Sequence, residues 1–150
     1  MDVLGLIVLL LTGFTACAEF GSYAFVHPVI RRLPPAQMIT VEQGLLRTFG
    51  RAYPILMPLS GLMLIIYAVW GGGAGGPTGW RWLAVVAWAI ATITTLVVNV
   101  PINAATGEWD PHSPPEDWRR LRRRWEFFQA VRAWLLLLAF AVLSVGFATD

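Results

Sequence analysis

The chain has 150 residues, of which 57% are hydrophobic and only 13% charged, and its mean hydropathy is +0.62. A soluble domain of this size needs about a quarter of its residues charged, so the composition excludes one and points to a single integral membrane domain spanning residues 1–150. The net charge of +2 rests on eleven cations, all arginine, and ten of them fall in two segments between apolar runs, which makes the excess a mark of membrane topology and not of a nucleic-acid surface.

In chain order, the first predicted helix runs from Val3 to about Val26 and ends at His27-Pro28, because proline disfavours helical backbone in the residue before it. The start, MDVLGLIVLLLTGFTAC, lacks a positive leading region and reads as a retained span, not a cleaved signal. After the turn RRLPPAQ, Pro35 starts a second helix whose first part, MITVEQGLLRTFGRAY, is amphipathic and whose apolar part covers residues 53–70, with bends expected at Gly50, Pro54 and Pro58. GGGAGGPTG is a turn with no catalytic residue types. The third helix opens on GWRW, an aromatic belt, and continues through VVNVPIN, with residues 82–101 in the membrane. A proline-rich polar loop, TGEWDPHSPPEDW, carries a solvated His112. The last helix runs from about Glu116 to Ala148, with residues 129–148 in the membrane.

The expected fold is therefore an all-α bundle of four transmembrane helices in the cell membrane. The positive-inside rule puts both arginine-rich loops in the cytoplasm and both termini outside. One cysteine, Cys17, rules out an internal disulfide or a thiolate cluster.

Depth arithmetic narrows the search for a site. Glu19 lies about 24 Å along the first helix from Val3, and Asn99 about 26 Å along the third from Trp82. The uncharged stretch Ala133–Ala148 covers only about 24 Å of a core roughly 30 Å thick, so Gln129 and Arg132 sit at or just inside the boundary. Asn103 follows Asn99 by a turn, and His27 ends the first helix on the same side. These polar residues converge at one depth near the cytoplasmic leaflet. Arg132 shares a stripe with Trp118, Leu121, Trp125, Phe128 and Leu135, the face that packs inward, so it needs a partner, and Glu19 is the acid available. Pro101 frees the carbonyl of Val97, which a nearby asparagine amide is expected to satisfy.

HP at 27–28, RTFGRAYPILMPLSG, VVNVPIN at 97–103 and RWEFFQAVR at 124–132 together resemble the four-helix membrane domain of the anthrone-oxygenase-like family. The resemblance implies an oxygenase or monooxygenase of polyketide-type pathways, converting an anthrone to an anthraquinone without an evident redox cofactor. It carries a polar site onto His27, Asn99, Asn103, Trp125 and Arg132. Relatives commonly have a histidine where this chain has Gln129.

The chemistry such a site supports needs a base, an oxyanion partner and a dry pocket. His27 or Glu19 takes the proton, Arg132, Asn99 and Asn103 stabilise the resulting oxyanion, and Trp125, Phe128 and Gln129 line the substrate. A flat, small apolar aromatic substrate enters from the bilayer between helices. No metal or cofactor is called for: His27 is the only histidine near the bundle, and a haem held by it alone is the lesser alternative. The other reading is a non-enzymatic helix-packing or assembly module whose RRLRRRWE segment binds anionic lipid. A homo-oligomer is compatible with either. No internal repeat is visible, which disfavours a transporter.

Overall fold

The computed structural model describes residues 3–71 and 78–149. It holds four helices long and apolar enough to cross a membrane: α1 (Val3–Ile30), α2 (Pro35–Trp70), α3 (Gly79–Glu108) and α4 (Trp118–Thr149). Most of the glycine-rich turn, residues 72–77, lies outside the described residues.

Burial is inverted relative to a soluble protein. Glu19, Glu42, Arg122 and Arg132 are buried, whereas Phe14, Ile55, Leu96 and Phe127 are exposed on the outer faces. In hydrocarbon an apolar rim is solvated and a charge is not, so this arrangement suits a bilayer.

Two helices run on where proline was expected to stop or threaten them. α1 does not end at His27: the turn Ser22–Val26 widens to a π-helix and the chain then continues helically from His27 to Ile30. α3 does the same, with a π-turn at Thr95–Asn99 followed by helix from Val100 to Glu108. A proline has no N–H to donate and its ring collides with the carbonyl four residues back, and a locally widened turn relieves both defects without ending the helix. The two bulges share a register, Ser22 and Thr95 each standing six residues before the proline, Pro28 or Pro101. α2 likewise stays helical through Pro54 and Pro58.

α3 and α4 make the most extensive packing, followed by α1 on α4 and α2 on α3. Small residues allow it: Ala84, Ala87 and Ala91 of α3 and Ala139 of α4 belong to one buried cluster with Trp88, Leu136 and Leu143. Between membrane helices the driving force is contact, not escape from water, so close backbone approach is what small side chains contribute. Polar ties support the same core. The Trp88 indole donates to the Met57 carbonyl at 3.0 Å, the Tyr53 hydroxyl to the Thr15 carbonyl at 3.0 Å, and the hydroxyls of Thr15 and Ser60 lie 3.1 Å apart.

Each end of the bundle is closed differently. At one end Ile30, Met38, Ile39, Trp109 and Trp118 gather under the loops, and the Gln43 amide donates to the carbonyls of Thr106 (3.1 Å) and Trp109 (2.8 Å), satisfying acceptors left open at the C-terminus of α3. At the other, Arg81 is buried, its guanidinium 4.9 Å from the Tyr67 ring and 5.0 Å from Trp80, while Trp82 points outward. Gly146 of α4 lies under Trp80, and an added Cβ would stand 2.4 Å from the indole. Gly146→Ala is therefore expected to cost about 1–3 kcal/mol through overpacking. Thermal unfolding in detergent checks this, and an unchanged midpoint would show that Trp80 yields freely.

Candidate active site

Polar side chains from all four helices meet around a cavity of about 450 Å³, within the range of roughly 300–1,000 Å³ usual for small-molecule pockets. Glu19, Ser22 and His27 come from α1, Glu42 and Tyr53 from α2, Thr95 and Asn103 from α3, and Trp125, Gln129 and Arg132 from α4. The remaining wall is apolar, made largely by Leu45, Leu46, Phe49, Met57, Leu96 and Val100.

The expected pairing of Arg132 with Glu19 is present. Arg132 donates from Nε (3.0 Å) and Nη2 (2.6 Å) to Glu19 Oε1, and from Nη1 to Thr95 Oγ1 at 3.4 Å. Both strong contacts land on Oε1, so Oε2 has no protein donor among the described residues. Thr95 opens the α3 bulge and Ser22 that of α1, and both line the cavity. Each bulge thus puts a hydroxyl-bearing residue in its wall.

A second buried ion pair was not foreseen. Arg122 Nη2 donates to Glu42 Oε1 at 2.6 Å, and the same oxygen lies 3.4 Å from His27 Nδ1. That second approach has the distance of an ionic contact but not the geometry of a hydrogen bond, and Nδ1 has no other partner among the described residues. Glu42 is thus poised to orient the ring through Nδ1, which leaves Nε2 as the nitrogen free to meet a molecule in the cavity. Arg122 and Arg132 are ten residues apart on α4, so the two ion pairs stand about 15 Å apart along the helix. Trp125 and Gln129 lie between them.

Trp125 is fixed from several directions. Arg122 sits over its ring at 4.3 Å, and the His27 ring packs against it at 4.9 Å. Its indole N–H donates to Asn103 Oδ1 at 2.6 Å, and its backbone carbonyl accepts from Asn99 Nδ2 at 3.1 Å. An asparagine amide was expected on the Val97 carbonyl freed by Pro101; Asn99 instead reaches across to α4. Asn99 is fully buried behind Trp125 and does not line the cavity, whereas Asn103 does, with no hydrogen bond from its Nδ2 among the described residues.

Among the expected site residues, Glu19, His27, Asn103, Trp125, Gln129 and Arg132 therefore share one cavity, and Asn99 supports it from behind. Phe128 does not reach it: its ring packs edge-on against Phe127 and beside the Val98, Ile102 and Trp125 cluster. Glu42 and Arg122 are the additions. Both had a signal in their spacing, since Glu42 falls on the apolar stripe of Met38, Leu45, Phe49 and Tyr53, and Arg122 falls in the run Trp118, Arg122, Trp125, Gln129, Arg132 at alternating steps of four and three. His112 is exposed, in keeping with a solvated loop residue. No group of three or more His, Cys, Asp or Glu side chains is placed to hold a metal among the described residues.

Fold and site together define a small helical protein of the membrane-spanning class, with an acid–base cluster enclosed between its helices. The anthrone oxygenase family model matches residues 46–142, about two-thirds of the chain, and the protein belongs to that family. No curated protein and no solved structure matches it. The matched segment holds Asn99, Asn103, Arg122, Trp125, Gln129 and Arg132, while Glu19, His27 and Glu42 precede it.

Proposed function

We propose that this protein is a membrane-embedded oxygenase that needs no resident cofactor and acts on an apolar phenolic compound with an acidic CH₂, of the anthrone type. The His27–Glu42 contact lies at the edge of a mostly apolar cavity that also holds the Glu19–Arg132 pair, and this geometry supports the reading. His27 Nε2 removes a proton from the CH₂, and Glu42 supports the imidazolium through Nδ1. Charge moves onto the ring ketone oxygen, where Arg132, the Asn103 amide and the Gln129 amide are the available donors. The electron-rich carbon passes electrons to O₂ and forms a C–O bond, giving a hydroperoxide once the proton is returned. Loss of water from that hydroperoxide leaves a carbonyl, so one CH₂ and one O₂ become one C=O and one H₂O. Both oxidation of the carbon and reduction of oxygen are by four electrons.

Trp125, held rigid, offers a flat face for an aromatic ring. Gln129, where relatives commonly have histidine, serves here as an amide donor, and the basic role falls to His27. The exposed Arg119, Arg120, Arg123 and Arg124 meet anionic headgroups at the cytoplasmic face of the cell membrane.

The test is oxygen uptake by the protein in lipid nanodiscs supplied with anthrone. His27→Ala is expected to lower the rate by about two to four orders of magnitude, the usual contribution of a general base. Glu42→Gln is expected to retain more activity, with a loss of about tenfold, since it keeps the shape but weakens support of the imidazolium. Full activity in both variants would remove His27 from the mechanism.

A further inference from the structure

Where the cavity opens is written in the exposure of its lining. The residues contributed by α1 and by α4 (Glu19, Ser22, His27, Trp125, Gln129 and Arg132) are all buried. Those that are exposed come only from α2 and α3: Phe49, Gly50, Pro54 and Pro58 on one side, Leu96, Val100 and Ala104 on the other. The helix contacts agree. α2 packs on α3 through Gly79–Thr94 and again through Val100–Glu108, but contact with the π-turn Thr95–Asn99 between them is marginal.

The exposed lining residues are all uncharged, with Arg47 and Arg51 flanking the cytoplasmic end of the gap, and it runs on as a shallow groove of about 340 Å³ between Gly61 and Ile65 of α2 and Val85 and Ala89 of α3. Groove and cavity share Met57, Pro58 and Thr92. Such a surface is wetted by hydrocarbon and not by water. The gap is a widened seam with physical causes: the α3 bulge displaces that helix locally, and Gly50 and Ala104 supply almost no side chain to fill the space.

We infer that the cavity is entered sideways from within the bilayer, through the doorway between α2 and α3 rimmed by Phe49, Gly50, Pro54, Leu96, Val100 and Ala104. The substrate class follows: an uncharged ring compound dissolved in the membrane, which crosses the seam edge-on and ionises only after reaching His27. A compound already charged in water has no favourable path along these walls, because no charged group on the rim offsets the cost of bringing an ion into apolar surroundings. This inference rests on the proposed function for the identity of the ring compound, but the route can be measured without turnover.

The experiment follows binding of anthraquinone, the stable quinone, to the protein in nanodiscs by quenching of tryptophan fluorescence after mixing. Gly50→Trp and Ala104→Trp plug the doorway, and the fold tolerates the first, since a Cβ at Gly50 meets only Leu46, at 3.6 Å. Val97→Trp is the control, an outward position on the same α3 bulge that lines neither cavity nor groove. Each doorway variant is expected to slow association by about tenfold, equivalent to about 1.4 kcal/mol of added barrier. The control should bind as the wild type does. Wild-type association in both doorway variants overturns the route. A wild type that never binds anthraquinone overturns route and function together. Slowed binding without oxygen uptake on anthrone sinks the oxygenase reading alone and leaves the doorway standing.

Discussion

Replacing Arg132 with alanine while Glu19 stays in place is expected to destabilise the bundle by about 3–5 kcal/mol, because it strands a carboxylate that is 2% exposed without its charge partner. The guanidinium supplies two charge-assisted bonds to Glu19 and a weaker one to Thr95, and no other cation is placed to replace it among the described residues. The double variant Glu19→Leu with Arg132→Met removes both charges and fills the space. It should recover most of the lost stability, since a buried pair exchanged for well-packed apolar residues is often neutral. Oxygen uptake should not return with it. Thermal or denaturant unfolding in detergent separates these outcomes, and an Arg132→Ala protein as stable as the wild type would mean that Glu19 is neutral in the fold.

Arg122→Ala should be nearly as damaging, at about 3–5 kcal/mol, although its neighbours in the same run are dispensable. Arg122 is 3% exposed, bonded to Glu42 at 2.6 Å and stacked on Trp125, whereas Arg123 and Arg124 point outward. Alanine at either of those positions should change stability by no more than about 0.5 kcal/mol. Removing Arg122 also releases one face of Trp125, so the near-ultraviolet circular dichroism of the tryptophans should weaken in Arg122→Ala and not in Arg123→Ala. Identical spectra and unfolding midpoints for the two variants would place Arg122 with the headgroup arginines after all.

That contrast shows what the sequence could and could not disclose. Four spans follow from run length and hydropathy, and the Glu19–Arg132 pair follows from depth arithmetic, because both residues are isolated charges in apolar surroundings with one obvious partner each. Arg122 was hidden by its company: in RRLRRRWE a cluster of cations reads as a headgroup anchor, and only its phase relative to Trp118 and Trp125 betrays that this one turns inward. Glu42 was masked in the same way, by an amphipathic segment where an acid is unremarked. The end of α1 differs from expectation for another reason. A local rule about proline forecasts a helix stop, but tertiary packing favours continuation, and a π-turn provides it at the expense of one irregular turn. Asn99 and Phe128 show the limit of depth as a guide, since a residue at the right level can still face a neighbouring helix and not the cavity.

In the proposed function these buried groups let a carbanion meet dioxygen between the helices. Isotopically heavy dioxygen tests it most directly: the protein in nanodiscs, given anthrone under that gas, should yield quinone carrying one heavy oxygen atom well above the protein-free rate, with the other atom in water. Quinone formed no faster than without protein, or formed without the label, would contradict the account.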